Sequence, residues 1–229
     1  MEQLYNSFTL ELSQGAFPLS TDSIALAGFS KLPKNATVLD LGAGCGTLGL
    51  LLCAQDPNCR VTGIELDPTA HQMALCNAMR NAIPDRLTSI CGNIADISTF
   101  VPAGSFSCCI SNPPYFSAGP KSKTVPIARR EDFCSISTLM RAASWALRYG
   151  GDFFLVHRPE RLAELCAQAS SCCLEPKRLR LLRHRTDGPV SLILLQLRKG
   201  AKPGLIWEEE SFFNADGSPT SYYRDLYHL

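Results

Sequence analysis

Short apolar runs alternate with longer amphipathic stretches along most of the chain. The apolar runs are bounded by glycine, proline or polar residues, as buried strands are, and the stretches between them have the spacing and capping residues of helices. The pattern predicts strands at 37–41, 60–65, 87–91, 105–111, 152–157, 177–185 and 190–197. It predicts helices at 47–55, 68–81, 135–147 and 159–171, and another over 24–29 behind a capping segment at 20–23.

This order of elements predicts an α/β fold. Strands that alternate with helices form a mostly parallel sheet covered by helices on both faces. Only residues 186–189 join the last two predicted strands, which is too short for a helical crossover, so these two strands should pair antiparallel. We therefore expect a seven-stranded sheet with an antiparallel last strand.

Composition says more about the compartment of the protein than about its function. The chain has 22 Lys and Arg against 21 Asp and Glu, a net charge of +1, which neither supports nor excludes a nucleic-acid partner. No apolar run reaches the roughly 18 residues of a membrane span, and residues 1–11 lack the basic start of a signal peptide. The eleven cysteines have no C-x-x-C spacing and are interpreted as buried thiols. We expect a cytoplasmic protein without a bound metal.

A glycine-rich segment, DLGAGCG at 40–46, follows the first predicted strand. Gly42, Gly44 and Gly46 would let the backbone turn tightly against a ligand. The spacing is G-x-G-x-G, whereas dinucleotide-binding folds carry G-x-G-x-x-G. S-adenosylmethionine (SAM) is a cofactor without a pyrophosphate, so it does not require the phosphate-binding loop of the dinucleotide folds. Asp40 or the carbonyls of the loop could bind its α-ammonium group. Ala43 lies in the same loop and joins the candidate cofactor contacts.

Further candidate contacts follow the second and third predicted strands. Glu65 offers two acceptor oxygens to the hydroxyls of an unphosphorylated ribose, although NAD would use the same acid. Asn93 could contact an adenine ring and its amino group, while the alternative for an asparagine in a loop is simple turn chemistry. Ile94 could pack on the adenine face, and Leu66 lies beside Glu65.

The sequence NPPY at 112–115 leaves the fourth predicted strand and carries the candidate chemistry. A conjugated amino group is a poor nucleophile, and a site improves it by accepting hydrogen bonds from its two N–H groups. The side-chain oxygen of Asn112 and the carbonyl of Pro113 are suitable acceptors, and Pro113 and Pro114 stiffen the loop. Tyr115 offers a flat face on which a planar substrate can stack. The alternative for an isolated motif of this kind is a plain turn.

Two groups of basic residues are candidates for phosphate contacts. Lys121, Lys123 and Arg129 lie in or behind the loop that follows NPPY, and we favour a functional role for them. A second group surrounds the sixth predicted strand, where phosphate contacts and an ordinary solvated strand are equally good interpretations. Its members are Lys177, Arg178, Arg180, Arg183 and Arg185.

Taken together, these motifs resemble the class I SAM-dependent methyltransferases that act on amino groups. A fuller set of segments is similar to the bacterial tRNA1(Val) (adenine-37) N6-methyltransferase family: FPLSTD at 17–22, AR at 128–129, GG at 150–151, HRPERL at 157–162 and LEPKRLR at 174–180. The resemblance covers nearly the whole chain. It implies a Rossmann-like class I methyltransferase fold, SAM as cofactor and tRNA as substrate, with methyl transfer to N6 of the adenine beside the anticodon.

The resemblance also implies roles for particular residues. It makes the four residues 112–115 catalytic, with Asn112 also near the cofactor, and it places Phe17, Thr21 and Asp22 at the cofactor cleft. Many relatives carry Asp where this chain has Asn93, but an asparagine can still accept through its oxygen. We expect residues 1–35 to be an N-terminal segment that caps the cofactor cleft, 36–200 to be the methyltransferase domain, and 201–229 to be a tail packed on it. We expect a monomer.

Other functions remain open from the sequence. A protein-glutamine N5-methyltransferase acting on release factors faces the same chemical problem with NPPY, but it usually carries a separate helical domain before the cofactor domain. An N6-adenine methyltransferase acting on DNA or another nucleic acid is a further alternative, although no target-recognition domain is evident. A non-catalytic SAM- or nucleotide-binding module is the alternative from a different class.

Overall fold

The computed structural model describes residues 2–13, 19–113 and 135–227. The strands are β1 (Glu2–Gln3), β2 (Thr9–Leu10), β3 (Thr37–Leu41), β4 (Arg60–Glu65), β5 (Leu87–Cys91), β6 (Phe106–Ser111), β7 (Leu147–His157), β8 (Leu174–Arg185), β9 (Val190–Lys199) and β10 (Ile206–Phe213). The helices are α1 (Thr21–Phe29), α2 (Thr47–Gln55), α3 (Pro68–Arg80), α4 (Ile97–Phe100), α5 (Ile136–Ala146), α6 (Leu162–Ser171) and α7 (Ser221–Tyr227). Short 3-10 turns lie at Tyr5–Ser7, Ile94–Asp96 and Pro159–Arg161.

Eight strands form the central sheet, in the order β10-β8-β9-β7-β6-β3-β4-β5. Strand β9 runs antiparallel to both β7 and β8, and all other neighbours in the sheet are parallel. The predicted α/β class and the antiparallel pairing of β8 with β9 are therefore confirmed, but the predicted number of seven strands is wrong. The additional strand is β10, whose three consecutive glutamates at 208–210 hide the period-two pattern of a strand.

The order of the strands creates a crevice at one edge of the sheet. From β3 the chain passes through α2 to β4 and through α3 to β5, and it then crosses to β6 on the other side of β3. The carboxyl ends of β3 and β6 flank this reversal, which is where open α/β sheets bind ligands. The residues that follow β3, β4, β5 and β6 are therefore brought to one edge.

Both faces of the sheet are covered. One apolar core joins the sheet to α1, α2, α3 and α7, and the other joins it to α4, α5 and α6. The first core includes Phe29 of α1, whose ring meets Phe154 of β7 edge-on with centroids 6.2 Å apart. Parallel strands buried on both faces need this double layer of helices.

The chain after residue 200 contributes to the same body. Glu208 of β10 accepts hydrogen bonds from Arg178 and Arg180 of β8, and both guanidinium groups lie against the ring of Phe29. We call these three charged residues the Arg–Glu cluster. Helix α7 packs on α1, where Tyr227 donates a hydrogen bond to Thr21. The C-terminal segment thus contacts both strand β8 of the sheet and helix α1.

The cysteines divide between core and surface. Cys45, Cys53, Cys59, Cys108 and Cys109 are buried, as the sequence predicts. The prediction is wrong for Cys76, Cys91 and Cys173, which are exposed: Cys76 lies on the solvent side of α3, Cys91 is the last residue of β5, and Cys173 lies in the turn between α6 and β8. Cys166 and Cys172 are half-buried.

Candidate functional site

The loop between β3 and α2 has the conformation that its glycines permit. Gly42, Gly44 and Gly46 have φ angles of 78°, 56° and 84°, in the region that side chains other than glycine rarely adopt. The N–H groups of Gly42 and Ala43 both donate to the carbonyl of Ile64 in β4, at 3.0 and 3.1 Å. Among the described residues, a Cβ atom added at Gly42 or Gly44 would have no neighbour within 4 Å, so these residues leave open the space above the loop.

Asp40 is the penultimate residue of β3 and lies beneath this loop. Its side chain is buried, and among the described residues neither carboxylate oxygen has a hydrogen-bond partner. Burial, and after it the nearby charge of Glu65, raises the pKa of Asp40 to about 8. A buried carboxylate without a donor is costly, so this position suits a ligand that brings a positive or N–H-bearing group.

Glu65 fastens the loop to the end of β4. One of its oxygens accepts from the N–H of Gly44 at 2.7 Å, and the other accepts from the N–H of Asp67 at 2.8 Å. Each oxygen has a second lone pair, so acceptor capacity remains for a ligand. Leu66, the next residue, is 46% exposed and places an apolar surface at the mouth of the crevice.

Asn93 and Ile94 follow β5 on the same edge. The Asn93 side-chain oxygen accepts from the N–H of Ala95 at 2.9 Å and caps the 3-10 turn Ile94–Asp96. Turn chemistry, one of the two interpretations from the sequence, is therefore present at Asn93, and its contact with a cofactor stays a prediction. Ile94 is buried in the second core, which leaves little of its surface for an adenine ring.

Asn112 leaves β6 directly across from the glycine loop. The preceding Ser111 donates its hydroxyl to the carbonyl of Leu41 at 2.7 Å and ties the ends of β6 and β3 together. The Asn112 amide nitrogen donates to the hydroxyl of Ser23 in α1 at 3.0 Å. Pro113 is buried behind it. The structure thus brings Asn112 and Pro113 to the edge that carries Asp40, whereas Pro114 and Tyr115 lie outside the described residues.

The start of α1 reaches the same edge. Ser20 caps the helix by accepting from the N–H of Ser23, and Asp22 lies in the first turn, where a negative charge suits the helix dipole. Thr21 accepts from the hydroxyl of Tyr227 at 3.3 Å. Ser23 is the residue of this site that the sequence did not indicate, because its contact with Asn112 joins positions 89 residues apart. Phe17 lies outside the described residues.

The structure describes the second of the two groups of basic residues but not the first. Lys121, Lys123 and Arg129 fall outside the part of the chain that the structure describes. In the second group, Arg178 and Arg180 are largely buried in the Arg–Glu cluster, which decides for the structural interpretation at these two positions.

The rest of the second group also has partners. Lys177 donates to the carbonyl of Lys202, and Arg183 donates to the carbonyl of Gly188. Arg185 forms a bidentate ion pair with Asp187. Arg183 and Arg185 lie at the carboxyl end of β8, on the edge of the sheet that also carries Asn112.

Within residues 2–13, 19–113 and 135–227, no group of His, Cys, Asp and Glu is arranged to hold a metal ion. In those same ranges, no helix has both the length and the apolar character that crossing a bilayer requires.

Known proteins match this chain in sequence and in fold. Residues 21–166, more than half of the chain, match the methyltransferase small domain family. A tRNA1(Val) (adenine(37)-N6)-methyltransferase of Shewanella halifaxensis is 32% identical over 169 residues, covering 73% of this chain and 68% of the relative. One of the same name from Actinobacillus pleuropneumoniae is 29% identical over 174 residues, covering 74% and 72%.

Solved structures agree on the fold. A protein of Agrobacterium tumefaciens described as a predicted O-methyltransferase superposes with a TM-score of 0.76 at 21% identity, covering 91% of this chain and 96% of the other. At that identity the likeness establishes the architecture and not the atom that is methylated. The family match and the relatives carry the assignment further: this chain belongs to the methyltransferase small domain family and, within it, to the tRNA1(Val) (adenine(37)-N6)-methyltransferases.

Proposed function

We propose that this enzyme transfers a methyl group from SAM to N6 of an adenine in tRNA, the adenine at position 37 of a valine tRNA. The observation that carries the proposal is the position of Asn112 and Pro113. They leave β6 across the topological switch point from a buried Asp40 and a glycine loop, and among the described residues Asp40 has no hydrogen-bond partner and the loop is open. The names of the relatives indicate the substrate, and Asn112 and Pro113 carry the acceptor oxygens that binding of an amino group needs.

The residues beneath the glycine loop fit SAM. Asp40 offers a buried carboxylate for which the described part of the chain provides no donor, and this suits the α-ammonium group of the methionine moiety. The space that the described residues leave above Gly42 and Gly44 would admit a ligand close to the backbone. Glu65 keeps lone pairs for the ribose hydroxyls while its N–H partners hold it in place. Leu66 and Asn93 stand at the side where an adenine ring would lie, and we assign them a secondary part.

The chemistry then depends on how the protein treats the target amino group. The sulfonium of bound SAM supplies an electrophilic methyl group, so the protein does not have to activate the donor. The side-chain oxygen of Asn112 and the carbonyl of Pro113 accept hydrogen bonds from the two N–H groups of the adenine. These bonds favour a tetrahedral nitrogen and stabilise the positive charge that grows on it during transfer. The remaining contribution is the alignment of nitrogen, methyl and sulfur.

The target base must leave its stack in the RNA to reach Asn112. We assign Pro114 and Tyr115 to the same motif, with Tyr115 as a stacking surface, and Lys121, Lys123 and Arg129 to phosphate contacts. We assign Thr21, Asp22 and Phe17 to the cap of the cofactor cleft. We also propose that 1–35, 36–200 and 201–229 act as cap, catalytic domain and packed tail, and that the enzyme works in the cytoplasm as a monomer.

The test is to incubate the purified protein with methyl-labelled SAM and unmodified bulk tRNA, digest the RNA, and identify the labelled nucleoside by mass spectrometry. We expect N6-methyladenosine as the labelled product. Label on another nucleoside, or on the ribose, would contradict the assignment of the acceptor atom. A parallel reaction with a release factor measures the glutamine alternative, and label in that protein with none in tRNA would replace the proposed substrate.

A further inference from the structure

Ser23 is a polar residue on the buried face of α1. Only 6% of its surface is exposed, and the nearby helix residues Ala25, Leu26 and Phe29 are apolar and fully buried. A buried hydroxyl that lacks hydrogen bonds costs about 1–3 kcal/mol. A serine is therefore expected in such a place only where it has partners, and those partners indicate what it does.

The Ser23 hydroxyl has two side-chain neighbours. Its oxygen lies 3.0 Å from the amide nitrogen of Asn112 and 3.4 Å from the hydroxyl oxygen of Ser20. An amide nitrogen can only donate, so Ser23 must accept from Asn112. Between Ser20 and Ser23 either hydroxyl can be the donor. When Ser23 donates its hydrogen to Ser20, its lone pairs are left to accept from Asn112.

The direction of this hydrogen bond fixes which end of the Asn112 amide points where. The two ends of an amide have nearly the same shape but opposite hydrogen-bonding roles. An amino group presents N–H donors, so only the oxygen end of Asn112 can accept from it. With the amide turned over, the NH2 group of Asn112 would face the N–H groups of the substrate, and the stabilisation of the substrate nitrogen would be lost.

We propose that Ser23 is a positioning residue that holds the amide of Asn112 with its oxygen toward the substrate amino group. The inference rests on the proposed function, because it assigns Ser23 a part in the same methyl transfer. Ser23 touches Asn112 and not the reacting atoms, so its effect is on the population of the correct amide orientation. Its removal should lower kcat and leave the affinity for SAM unchanged, since the glycine loop and Glu65 are held by other contacts.

The first arm of the test is a matched pair of variants, Ser23→Thr and Ser23→Val. Threonine and valine have the same branched shape and differ in the hydroxyl, so the pair isolates the hydrogen bond from packing. We expect Ser23→Val to reduce kcat about tenfold relative to Ser23→Thr, the size of one hydrogen bond, with KM for SAM unchanged. Ser23→Ala, which adds no bulk, should show the same loss relative to the wild type.

The second arm repeats the pair in an Asn112→Asp background. A carboxylate has acceptors at both ends, so it presents an oxygen to the substrate whichever way it turns. We expect the tenfold difference between the threonine and valine variants to shrink to about one in this background. A merely structural role of Ser23 would leave the difference unchanged.

The outcomes separate this inference from the proposed function. If the wild type makes N6-methyladenosine but the threonine and valine variants have equal kcat, the positioning role is wrong and the function stands. If the wild type makes no N6-methyladenosine in tRNA, both are wrong. Melting temperature and SAM calorimetry identify variants that misfold. Should Ser23→Thr be one of them, Ser23→Ala with normal SAM affinity decides, and a wild-type kcat there would overturn the positioning role.

Discussion

The glycine loop after β3 and the Asn112 amide after β6 face each other across the crevice, but different kinds of contact hold them. The loop is held by backbone N–H groups that donate to Ile64 and Glu65, all within the segment 40–67. The Asn112 amide is held by a side chain of α1, 89 residues away. Helix α1 itself rests on the sheet through Phe29 and on α7 through Tyr227.

We therefore expect cofactor binding and alignment of the acceptor to fail separately. The proposed cofactor half, which is the glycine loop with Asp40 and Glu65, is local and built mostly from backbone, so changes in α1 or in the C-terminal segment should leave it intact. The proposed acceptor half, which is Asn112 with Pro113, depends on contacts between distant parts of the chain, so those changes should appear in the transfer step.

The Asn112→Ala variant removes the proposed acceptor and leaves the glycine loop and Glu65 untouched. We expect the rate of methyl transfer to fall about 1000-fold, as for the loss of a group that stabilises charge in the transition state. SAM affinity, measured by calorimetry, should stay within about twofold of the wild type, because the contacts beneath the loop are unchanged. Parallel losses of transfer and SAM affinity would show that the two halves are not separable.

A change in the Arg–Glu cluster tests whether the C-terminal segment supports α1. Glu208→Ala leaves the largely buried Arg178 with the carbonyl of Phe29 and the side chain of Gln196 as its partners. We expect the free energy of unfolding to fall by about 3 kcal/mol, as when one partner of a buried ion pair is removed. Urea denaturation measures this value. Among folded molecules, kcat should fall more than SAM affinity.

Glu209→Ala, on the same strand, is the matched control for this variant. The Glu209 side chain is 65% exposed and lies 3.7 Å from Arg183, so its loss should change stability by no more than about 0.5 kcal/mol. Equal destabilisation by the two alanine variants would mean that the cluster does not hold β10 to the sheet.

Glu65→Ala tests the cofactor half. It removes the acceptor for the N–H of Gly44 and the proposed acceptor for the ribose hydroxyls. We expect SAM to bind about thirtyfold more weakly, near 2 kcal/mol, and kcat at saturating SAM to change little. Calorimetry and initial rates over a range of SAM concentrations distinguish the two effects. Unchanged SAM affinity would refute the assignment of Glu65.

The pH dependence of stability tests the raised pKa of Asp40. Between the ordinary carboxyl pKa near 4 and the value of about 8, the folded protein binds a proton that the unfolded chain has lost. Stability of the ligand-free enzyme should therefore fall as pH rises through this window, by at most about 1.4 kcal/mol per unit from this group.

Asp40→Asn is the control for that pH dependence. The variant should lack the contribution of Asp40 to the slope and be more stable than the wild type at pH 8. It should also bind SAM more weakly, because the proposed partner of the ammonium group is gone. Denaturant titrations at several pH values, with SAM calorimetry alongside, measure both quantities. An unchanged slope in the variant would place the titrating group elsewhere.

The sequence predicts the local features of this enzyme better than the long-range ones. The positions of the glycine loop, Glu65 and Asn112 can be predicted because each lies at the end of an apolar strand. Strand β10 is missed because Glu208, Glu209 and Glu210 break its pattern, and the partner that buries Arg178 is missed with it. Ser23 is missed because a serine near a helix start has an ordinary explanation as part of a cap, and only the fold brings it to Asn112.

The most direct test of the central claim uses two transcripts of a valine tRNA that differ at position 37, one with adenine and one with guanine. The wild type and Asn112→Ala, each saturated with labelled SAM, are incubated with both transcripts, and N6-methyladenosine is counted by mass spectrometry. We expect close to one N6-methyl group per adenine-37 transcript with the wild type, and essentially none from the guanine transcript or the variant. Equal methylation of both transcripts, or undiminished methylation by Asn112→Ala, would contradict the claim.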